Sequence, residues 1–276
     1  MKVYKKLVSK ILTQGEEKES RSGGKTLSCF GHHYSHDLAD GFPLLTTKKV
    51  KWEHIILENL WFLSGEKNID FLQHYGVKFW DPWVDPDTNE VPSAYGYYWR
   101  RHNSDQIGYA LATLREDNNS RRAFVTAWTP PNAHCSTLPP CHAAFGLHVS
   151  PTGRLNLALF QRSCDVALGL PYNIAGYSLL QSIFAQILGL RPGVFSHSII
   201  DAHIYANGAY DHVPNLRKQM LRYTRELPQL QLDKGIKTLK DIEDVIDARP
   251  SMSELLDIFK LTGYNPHPAI KFNVAV

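Results

Sequence analysis

The sequence predicts an α+β fold, because segments with helical periodicity alternate with segments rich in β-forming residues. The 276 residues are 43% hydrophobic and 21% charged, which suits one large globular domain or two small ones and argues against disorder. The net charge of +3 comes from 30 basic and 27 acidic residues, a balance that does not fit a protein that coats nucleic acid. Any anion should therefore be bound by a few well-placed arginines.

The first part of the chain predicts two helices with a strand between them. Residues 2–14 carry apolar side chains at the spacing of one helical face, and this pattern stops at Gly15. Residues 26–38 combine threonine, aromatic and alternating positions, which indicates a strand. Residues 52–65 predict a mostly buried helix that ends at Gly65.

The middle of the chain predicts a functional loop and further strands. Residues 80–103 are rich in Pro, Asp and Asn with Trp and Tyr between them, so we expect a long loop whose aromatic side chains form a ligand wall. β-forming residues dominate 123–149 and 155–160. The proline-rich segment 129–142 interrupts them and is predicted to be a rigid turn.

The last part of the chain predicts a helix, a strand and a segment of unassigned role. Residues 173–190 predict a buried helix with Asn173 as its N-cap, and residues 196–208 return to strand character. Residues 226–262 alternate Leu and Ile with Asp and Lys, and we interpret them as a possible peripheral insertion.

The N-terminal segment and the cysteines indicate a cytoplasmic protein with reduced thiols. Lysines break the apolar pattern of the first residues, and no run approaches the ~20 apolar residues of a membrane span. The cysteines are too few and too widely spaced for a disulfide framework in a chain of this length, and at least one is a candidate nucleophile: Cys29, Cys135, Cys141 and Cys164.

Cys141 is the leading candidate for a nucleophile. It follows two prolines in the segment LPPCH, residues 138–142, so a stiff turn presents its thiol. A thiol titrates near ~8.5 and needs a neighbouring cation to ionise at neutral pH, which an arginine can supply. On this segment alone a buried structural cysteine is the more common alternative.

A dense polar segment follows in QRSCD, residues 161–165, and ALGLPYN, residues 167–173. An arginine, a hydroxyl, an acid and an amide lie between a strand and a helix start, where anions and other ligands are commonly held. Each residue also has an ordinary alternative: Asn173 caps its helix, Asp165 pairs with a surface lysine, and Arg162 is solvated.

Other candidate groups are weaker by themselves. Adjacent Arg121 and Arg122 usually mark a solvated face. His203 and Tyr205 alternate on a predicted strand, so they point to the same side and either bond a sugar hydroxyl or simply pack. Neither the histidines of 32–36 nor Cys135 with Cys141 and His142 have the paired spacing of a zinc site, so no metal is expected. The sequence has no phosphate-binding Walker glycine loop and no GxGxxG motif.

Taken in order, these motifs resemble the thymidylate synthase family over nearly the whole chain, apart from about 226–262. The match also covers DGFPLLTTKK, LENLWFL, WDPW, YGYYWR and the terminal YNPHPAIKFNVAV. The resemblance implies one catalytic domain over residues 1–276, an α+β fold around a mixed β-sheet with flanking helices. It also implies a homodimer that packs sheet to sheet, with Arg121 and Arg122 donated across the interface.

The resemblance implies covalent catalysis with dUMP and the cosubstrate 5,10-methylenetetrahydrofolate, without a metal. The Cys141 thiolate would add to C6 of the pyrimidine and make C5 a carbon nucleophile towards the one-carbon unit. Glu58 would organise water for proton transfer, and Tyr95 would assist removal of the C5 proton. Asp165 and Arg162 complete the implied catalytic set.

The implied nucleotide site separates phosphate, ribose and base. Asn173 suits uracil, because an amide can accept from N3–H and donate to O4, whereas cytosine reverses this pattern. The residues implied to bind the nucleotide are Arg21, Arg121, Arg122, Arg162 and Ser163 at the phosphate, His203 and Tyr205 at the ribose, and Asn173, Gln161 and His142 around the base. The residues implied to bind the folate are Phe79, Trp80, Trp83, Leu138, Asp165, Leu168, Gly169, Tyr172, Ala275 and Val276.

The chain departs from the family pattern at three places. Val91-Pro92-Ser93-Ala94 stands where Gly-Pro is usual, Gly176 occupies a position that is often serine, and Phe79 replaces a common aliphatic residue. The departures keep open capture of the intermediate by water, which gives 5-hydroxymethyl-dUMP, and Gly176 leaves deoxyribose preference open. Trp80 and the intact Ala-Val terminus favour hydride transfer. A non-catalytic nucleotide- or RNA-binding protein is a further alternative, which Cys141, Glu58 and Tyr95 argue against.

Overall fold

A six-stranded mixed sheet forms the centre of the computed structural model, which describes residues 2–20, 22–136 and 138–275. The sheet strands are β1 (Glu16–Glu19), β2 (Lys25–Asp37), β3 (Phe124–Thr126), β4 (His142–Val149), β5 (Arg154–Asp165) and β6 (Arg191–Ala206). Their order is β1-β2-β6-β5-β4-β3, and every pair is antiparallel except β5 with β6. The predicted mixed sheet is confirmed.

Helices pack around this sheet and bury one contiguous apolar core. They are α1 (Lys2–Gln14), α2 (Trp52–Ser64), α3 (Asp70–His74), α4 (Tyr95–Arg100), α5 (Gln106–Glu116), α6 (Pro130–Cys135), α7 (Gly169–Ile187), α8 (Val213–Met220), α9 (Leu239–Ala248) and α10 (Met252–Ile258). The 19-residue α7 lies on β5 and β6 and touches α2 on its other side, which explains why it is apolar almost all round. No helix in the described ranges is long and apolar enough to cross a bilayer.

The helices predicted at 2–14 and 52–65 are confirmed. Gly65 terminates α2 as expected: it adopts a left-handed conformation with φ 73° and donates its N–H to the carbonyl of Phe62. The strand expected at 26–38 is β2, and that expected at 196–208 is the end of β6.

Three sequence predictions need correction. Asn173 does not cap α7, because the helix begins four residues earlier, at Gly169. The carboxylate of Asp165 accepts the N–H groups of Ala167 and Leu168 immediately before this start. The stretch 80–103 is not all loop, since it contains a 3₁₀ turn, Asp81–Trp83, and α4. Nor is 129–142 only a turn, because α6 begins there, with the N–H of Thr129 donating to Oδ1 of Asn132 at 3.2 Å.

Helix α4 exists because it packs closely against α2. A Cβ on Gly96 would lie 2.1 Å from the carbonyl oxygen of Phe62, so only glycine allows this approach. Tyr95, Tyr98 and Trp99 are buried on the same helix. Tertiary packing thus makes a helix from a segment whose composition favours a loop.

Residues 226–262 form a small two-stranded sheet, β7 (Gln229–Leu232) with β8 (Phe259–Thr262), together with α9 and α10. This unit packs on α2, where Trp52 Nε1 donates to the carbonyl of Phe259 at 2.9 Å. Ile242, Leu255 and Phe259 belong to the common core. That the segment is an insertion stays a prediction.

Candidate active site

Cys141 lies at the start of β4, and its neighbour in space is Arg162 on β5. The guanidinium Nη2 is 3.7 Å from Sγ of Cys141. Its position is fixed by bonds from Nε to the carbonyl of Pro140 at 2.9 Å and from Nη2 to that of Pro139 at 2.7 Å, and by the ring of Trp128 beneath it. Arg162 is therefore not simply solvated, and a guanidinium at this distance stabilises a thiolate over a thiol.

Tyr95 joins α4 to the same thiol-bearing turn. Its hydroxyl accepts the backbone N–H of Cys141 at 2.9 Å, and its ring stacks on His142 with centroids 4.7 Å apart. Burial raises the pKa of Tyr95, so the phenol keeps its proton at neutral pH. Burial also lowers the pKa of His142 to about 4, which leaves that imidazole neutral.

Glu58 projects from α2 towards Trp80, whose Nε1 donates to Oε1 at 2.9 Å. Burial raises the pKa of Glu58 to about 7, and the hydrogen bond from Trp80 opposes this change only partly. A carboxyl group with this pKa can both hold and release a proton at neutral pH.

Asn173 lies in the first turns of α7 and contacts Gln161 of β5. Gln161 Nε2 donates to Asn173 Oδ1 at 3.1 Å and to the carbonyl of Ser163 at 2.9 Å. The parallel pairing of β5 and β6 sets Ser163 opposite Asp201. The amide of Asn173, Ser163 and the start of α7 therefore lie together at the carboxyl end of β5.

His203 and Tyr205 lie at the same end of the sheet, on a part of β6 that buries a different set of side chains from the part before it. From 193 to 199 the odd-numbered residues are buried, whereas from 202 to 206 the even-numbered ones are buried. The pairing with β2 is interrupted at Ile200 and at Gly31, whose φ of 64° suits glycine. As predicted, His203 and Tyr205 lie on one side, with ring centroids 5.3 Å apart.

Among the residues that the resemblance implies for the folate, the rings of Phe79, Trp83 and Tyr172 form a partly exposed aromatic wall, and Trp80 is buried behind it. Phe79 and Tyr172 have ring centroids 6.4 Å apart, and Trp80 and Trp83 have theirs 5.9 Å apart. Leu138, Leu168 and Gly169 are likewise only partly buried. These faces are open to a flat ligand.

Asp165 lies between this wall and the C-terminal segment. Its Oδ1 accepts the N–H groups of Ala167 and Leu168 and is 3.8 Å from Nδ1 of His212, rather than pairing with a surface lysine. His212 Nε2 in turn contacts the carbonyl of Asn273 at 2.8 Å. Burial alone would raise the pKa of Asp165, but His212 and the backbone donors outweigh it, and the pKa is lowered.

Not every candidate is brought to this site. Arg121 and Arg122 are exposed in the turn before β3, and Ala275 ends the described chain beyond the segment that His212 holds. Arg21 and Val276 lie outside the described residues, as does the side chain of Cys135. Within the described ranges, no group of three or more His, Cys, Asp or Glu is arranged to hold a metal ion.

Sequence reasoning missed three buried polar residues near the site. His197 is fully buried between Phe195 and Ile199 on the core face of β6, and the period-two burial of that strand was a signal that could have found it. Tyr34 bonds His197, and His212 bonds Asn273, but no local pattern marks either residue.

A comparison with known protein families matches nearly the whole chain. The sequence model of the family described as thymidylate synthase matches residues 2–276. The match includes residues 226–262 as well as the sheet and the site described above.

Proposed function

We propose, from the premise that this chain belongs to the thymidylate synthase family, that it methylates dUMP to dTMP with 5,10-methylenetetrahydrofolate. The family comprises one-carbon transferases that act on dUMP. The observation that carries the proposal is Arg162 at 3.7 Å from the Cys141 thiol, since it equips this chain with an activated nucleophile. The first step, addition of this thiolate to the base, does not involve the folate.

In the proposed first step, Cys141 Sγ forms a bond to C6 of the uracil. The electron pair of the C5–C6 double bond moves towards C5 and O4, so negative charge develops at O4. On this proposal Asn173 donates from Nδ2 to that oxygen while its Oδ1 accepts N3–H. Arg162 balances the thiolate before attack and remains beside the phosphate site afterwards.

Proton handling is assigned to Tyr95 and Glu58. Tyr95 keeps its proton and is held by the N–H of Cys141, so its hydroxyl is fixed within reach of the carbon chemistry at that thiol. Glu58, with a pKa of about 7, exchanges protons with O4 through water.

The residues present fit a reduced folate. Partly exposed rings at Phe79, Trp83 and Tyr172 offer flat apolar contact, and Asp165 offers an ionised carboxylate for the N–H donors of a pterin. When bound, the folate supplies the one-carbon unit and, in methylation, the hydride. Trp80, through its bond to Glu58, links this wall to the proton-handling group.

Hydroxymethylation is the second candidate, and a specific contact favours it. Ser93 belongs to the segment that departs from the family pattern, and its hydroxyl donates to the carbonyl of Leu138 at 2.6 Å. The departure therefore reaches the wall that must exclude water from the intermediate. Gly176 is better explained by its neighbour, since a Cβ there would lie 3.0 Å from Nδ2 of Asn59.

We also propose a homodimer through the outer face of the sheet. Large apolar side chains are exposed on four of its strands, namely Phe30, Phe124, Phe160 and Ile200. An apolar patch of this kind on a sheet is covered at an interface. Arg121 and Arg122 precede Phe124 in the chain, so on this proposal they reach the partner's phosphate site. The dimer proposal would be contradicted if sedimentation equilibrium showed a monomer at concentrations where the protein is fully active.

The deciding experiment incubates the protein with dUMP and 5,10-methylenetetrahydrofolate, follows dihydrofolate by absorbance and identifies the nucleotide by mass spectrometry. Dihydrofolate with dTMP is expected. Tetrahydrofolate with 5-hydroxymethyl-dUMP would replace methylation by hydroxymethylation. No tritium release from dUMP labelled at C5 would exclude both enzymes in favour of a binding protein. Cys141→Ala should lose all turnover and controls for contaminating activity.

A further inference from the structure

A chain of buried hydrogen bonds runs from β2 to the amide of Asn173. The Tyr34 hydroxyl is 2.7 Å from Nδ1 of His197, which lies directly opposite it in the β2–β6 pairing. His197 Nε2 is 2.9 Å from Oε1 of Gln161, and Gln161 Nε2 contacts Asn173 Oδ1 at 3.1 Å. Tyr34, His197 and Gln161 are 8%, 0% and 2% exposed, so water does not compete along this path.

The direction of these bonds is fixed at Gln161. Its Nε2 also faces the carbonyl of Ser163 at 2.9 Å, and a carbonyl can only accept. The amide N–H groups must therefore point to Ser163 and Asn173, which leaves Oε1 towards His197. Consequently His197 carries its proton on Nε2, and its Nδ1 accepts the hydroxyl proton of Tyr34.

Charge does not disturb this assignment. Burial lowers the pKa of His197 well below the ordinary value, and His142, His32 and His33 lower it further, so the imidazole is neutral. Burial raises the pKa of Tyr34, so the phenol remains a donor. One donor and one acceptor at each step give the chain a single arrangement.

The orientation of Asn173 follows from this arrangement. Its Oδ1 accepts a hydrogen bond from Nε2 of Gln161, and the Cys164 thiol contacts the same oxygen at 3.9 Å. Rotating the amide by half a turn would set Nδ2 against the N–H of Gln161, and two donors would face each other. An isolated asparagine could turn and match cytosine as well as uracil, because its two ends are similar in size.

We propose that Tyr34 and His197 are positioning residues that, through Gln161, lock Asn173 in the orientation that accepts uracil and rejects cytosine. The inference rests on the proposed function, in which Asn173 contacts the base. It adds that selectivity depends on two side chains buried away from the nucleotide, one of them on a different strand from any residue of the site.

The test compares the wild type with Tyr34→Phe and His197→Phe, using calorimetric binding of dUMP and dCMP and tritium release from each nucleotide labelled at C5. Tyr34→Phe removes the hydroxyl that donates to Nδ1 of His197, so the imidazole proton is free to move from Nε2 to Nδ1. In that tautomer Nε2 is an acceptor and faces Oε1 of Gln161, which is also an acceptor. We expect the preference for dUMP over dCMP to fall by about ten-fold, the equivalent of one buried hydrogen bond. His197→Phe should lower it at least as much.

Tyr75→Phe is the matched control, because it removes a phenol bond of 2.7 Å, to the carbonyl of Pro250, that does not lead to Asn173. A general loss of stability would reduce turnover of both nucleotides equally and leave their ratio unchanged. An unchanged ratio in folded Tyr34→Phe, or an equal change in Tyr75→Phe, would overturn the proposal.

A second measurement does not depend on turnover or on folding of the variants. Side-chain nitrogen NMR of the wild-type protein should show His197 protonated at Nε2 and unprotonated at Nδ1. The opposite tautomer would overturn the proposal even if dUMP is methylated. Conversely, absence of dUMP turnover together with the expected tautomer would refute the proposed function while leaving the bond direction established.

Discussion

The surroundings of Glu58 and of Asp165 differ in the number of hydrogen-bond donors they offer to a carboxylate. The described contacts give Glu58 one donor, Trp80 Nε1, whereas Asp165 accepts two backbone N–H groups and faces His212. The pKa of Glu58 is accordingly raised to about 7 by burial, and that of Asp165 is lowered despite burial. Donor supply, rather than burial alone, decides which carboxyl keeps its proton.

The difference in pKa suits the two carboxyl groups to different roles. A group that titrates near neutrality can pass protons, whereas a permanently ionised group can only attract and orient. We therefore expect changes at Glu58 to appear mainly in turnover. Changes at Asp165 should appear mainly in folding stability and ligand affinity.

The largest effect is expected for Glu58→Gln. The amide keeps the shape and can still accept the Trp80 bond but cannot exchange a proton, so kcat should fall by about 10²–10⁴-fold with little change in dUMP binding. Glu53→Gln, on the same helix, is the control. The assignment fails if Glu58→Gln turns over within a few-fold of the wild type in steady-state assays.

Asp165→Asn should instead destabilise the protein. Removing the carboxylate leaves His212 without the group that raises its pKa against the opposing effect of burial, and Lys48 loses a nearby opposite charge. We expect a loss of about 3 kcal/mol in the free energy of unfolding, as for other broken buried pairs. Denaturant titration measures this loss. His212→Gln should reduce the free energy of unfolding less in the Asp165→Asn background than in the wild type. Additive losses would mean that the two residues are not coupled.

The secondary structure could be predicted wherever the apolar pattern of a segment was itself enough to determine it. Residues 2–14 and 52–65 carry their periodicity in the sequence and fold as expected. Helix α4 could not be found, because Gly96 needs the backbone of Phe62 beneath it, and the start of α7 depends on where Asp165 places its oxygen. Such long-range partners leave no local pattern.

The candidate site was predictable by residue type but not by protonation state. Cys141 and Asp165 stand in recognisable segments and the family resemblance implies Glu58, yet the contrast between the two carboxyls depends on Trp80 and His212, which lie far away in the chain. His197 and Tyr34 were missed for the same reason, since only the sheet register sets them opposite each other. Sequence identifies donors and acceptors, and the fold decides which of them meet.

The pH dependence of stability should distinguish the two carboxyls further. The folded-state pKa of Glu58 lies above its ordinary value of 4.5, so the folded protein binds more protons between pH 4.5 and about 7. The contribution of Glu58 to the free energy of unfolding is therefore fully present below pH 4.5 and is lost as the pH rises towards 7. This loss is about 2 kcal/mol after allowance for partial solvent access. The pKa of Asp165 is shifted in the opposite direction, so its contribution to the free energy of unfolding is lost as the pH falls. Unfolding curves of the wild type and Glu58→Gln should converge at low pH; parallel curves would contradict the assignment.

The smallest effect is expected for Trp80→Phe, which removes the donor to Glu58 and retains an aromatic ring. Because the Trp80 bond lowers the pKa of Glu58, its loss should raise that pKa further and move the acidic limb of the rate profile upwards by about one pH unit, or ~1.4 kcal/mol. Trp83→Phe loses the same indole N–H, but the contact of Trp83 with Trp80 is ring to ring. If both variants move the limb equally, ring size in the aromatic wall controls the pKa of Glu58; if only Trp80→Phe does, the single hydrogen bond from Trp80 is what opposes the effect of burial on that pKa.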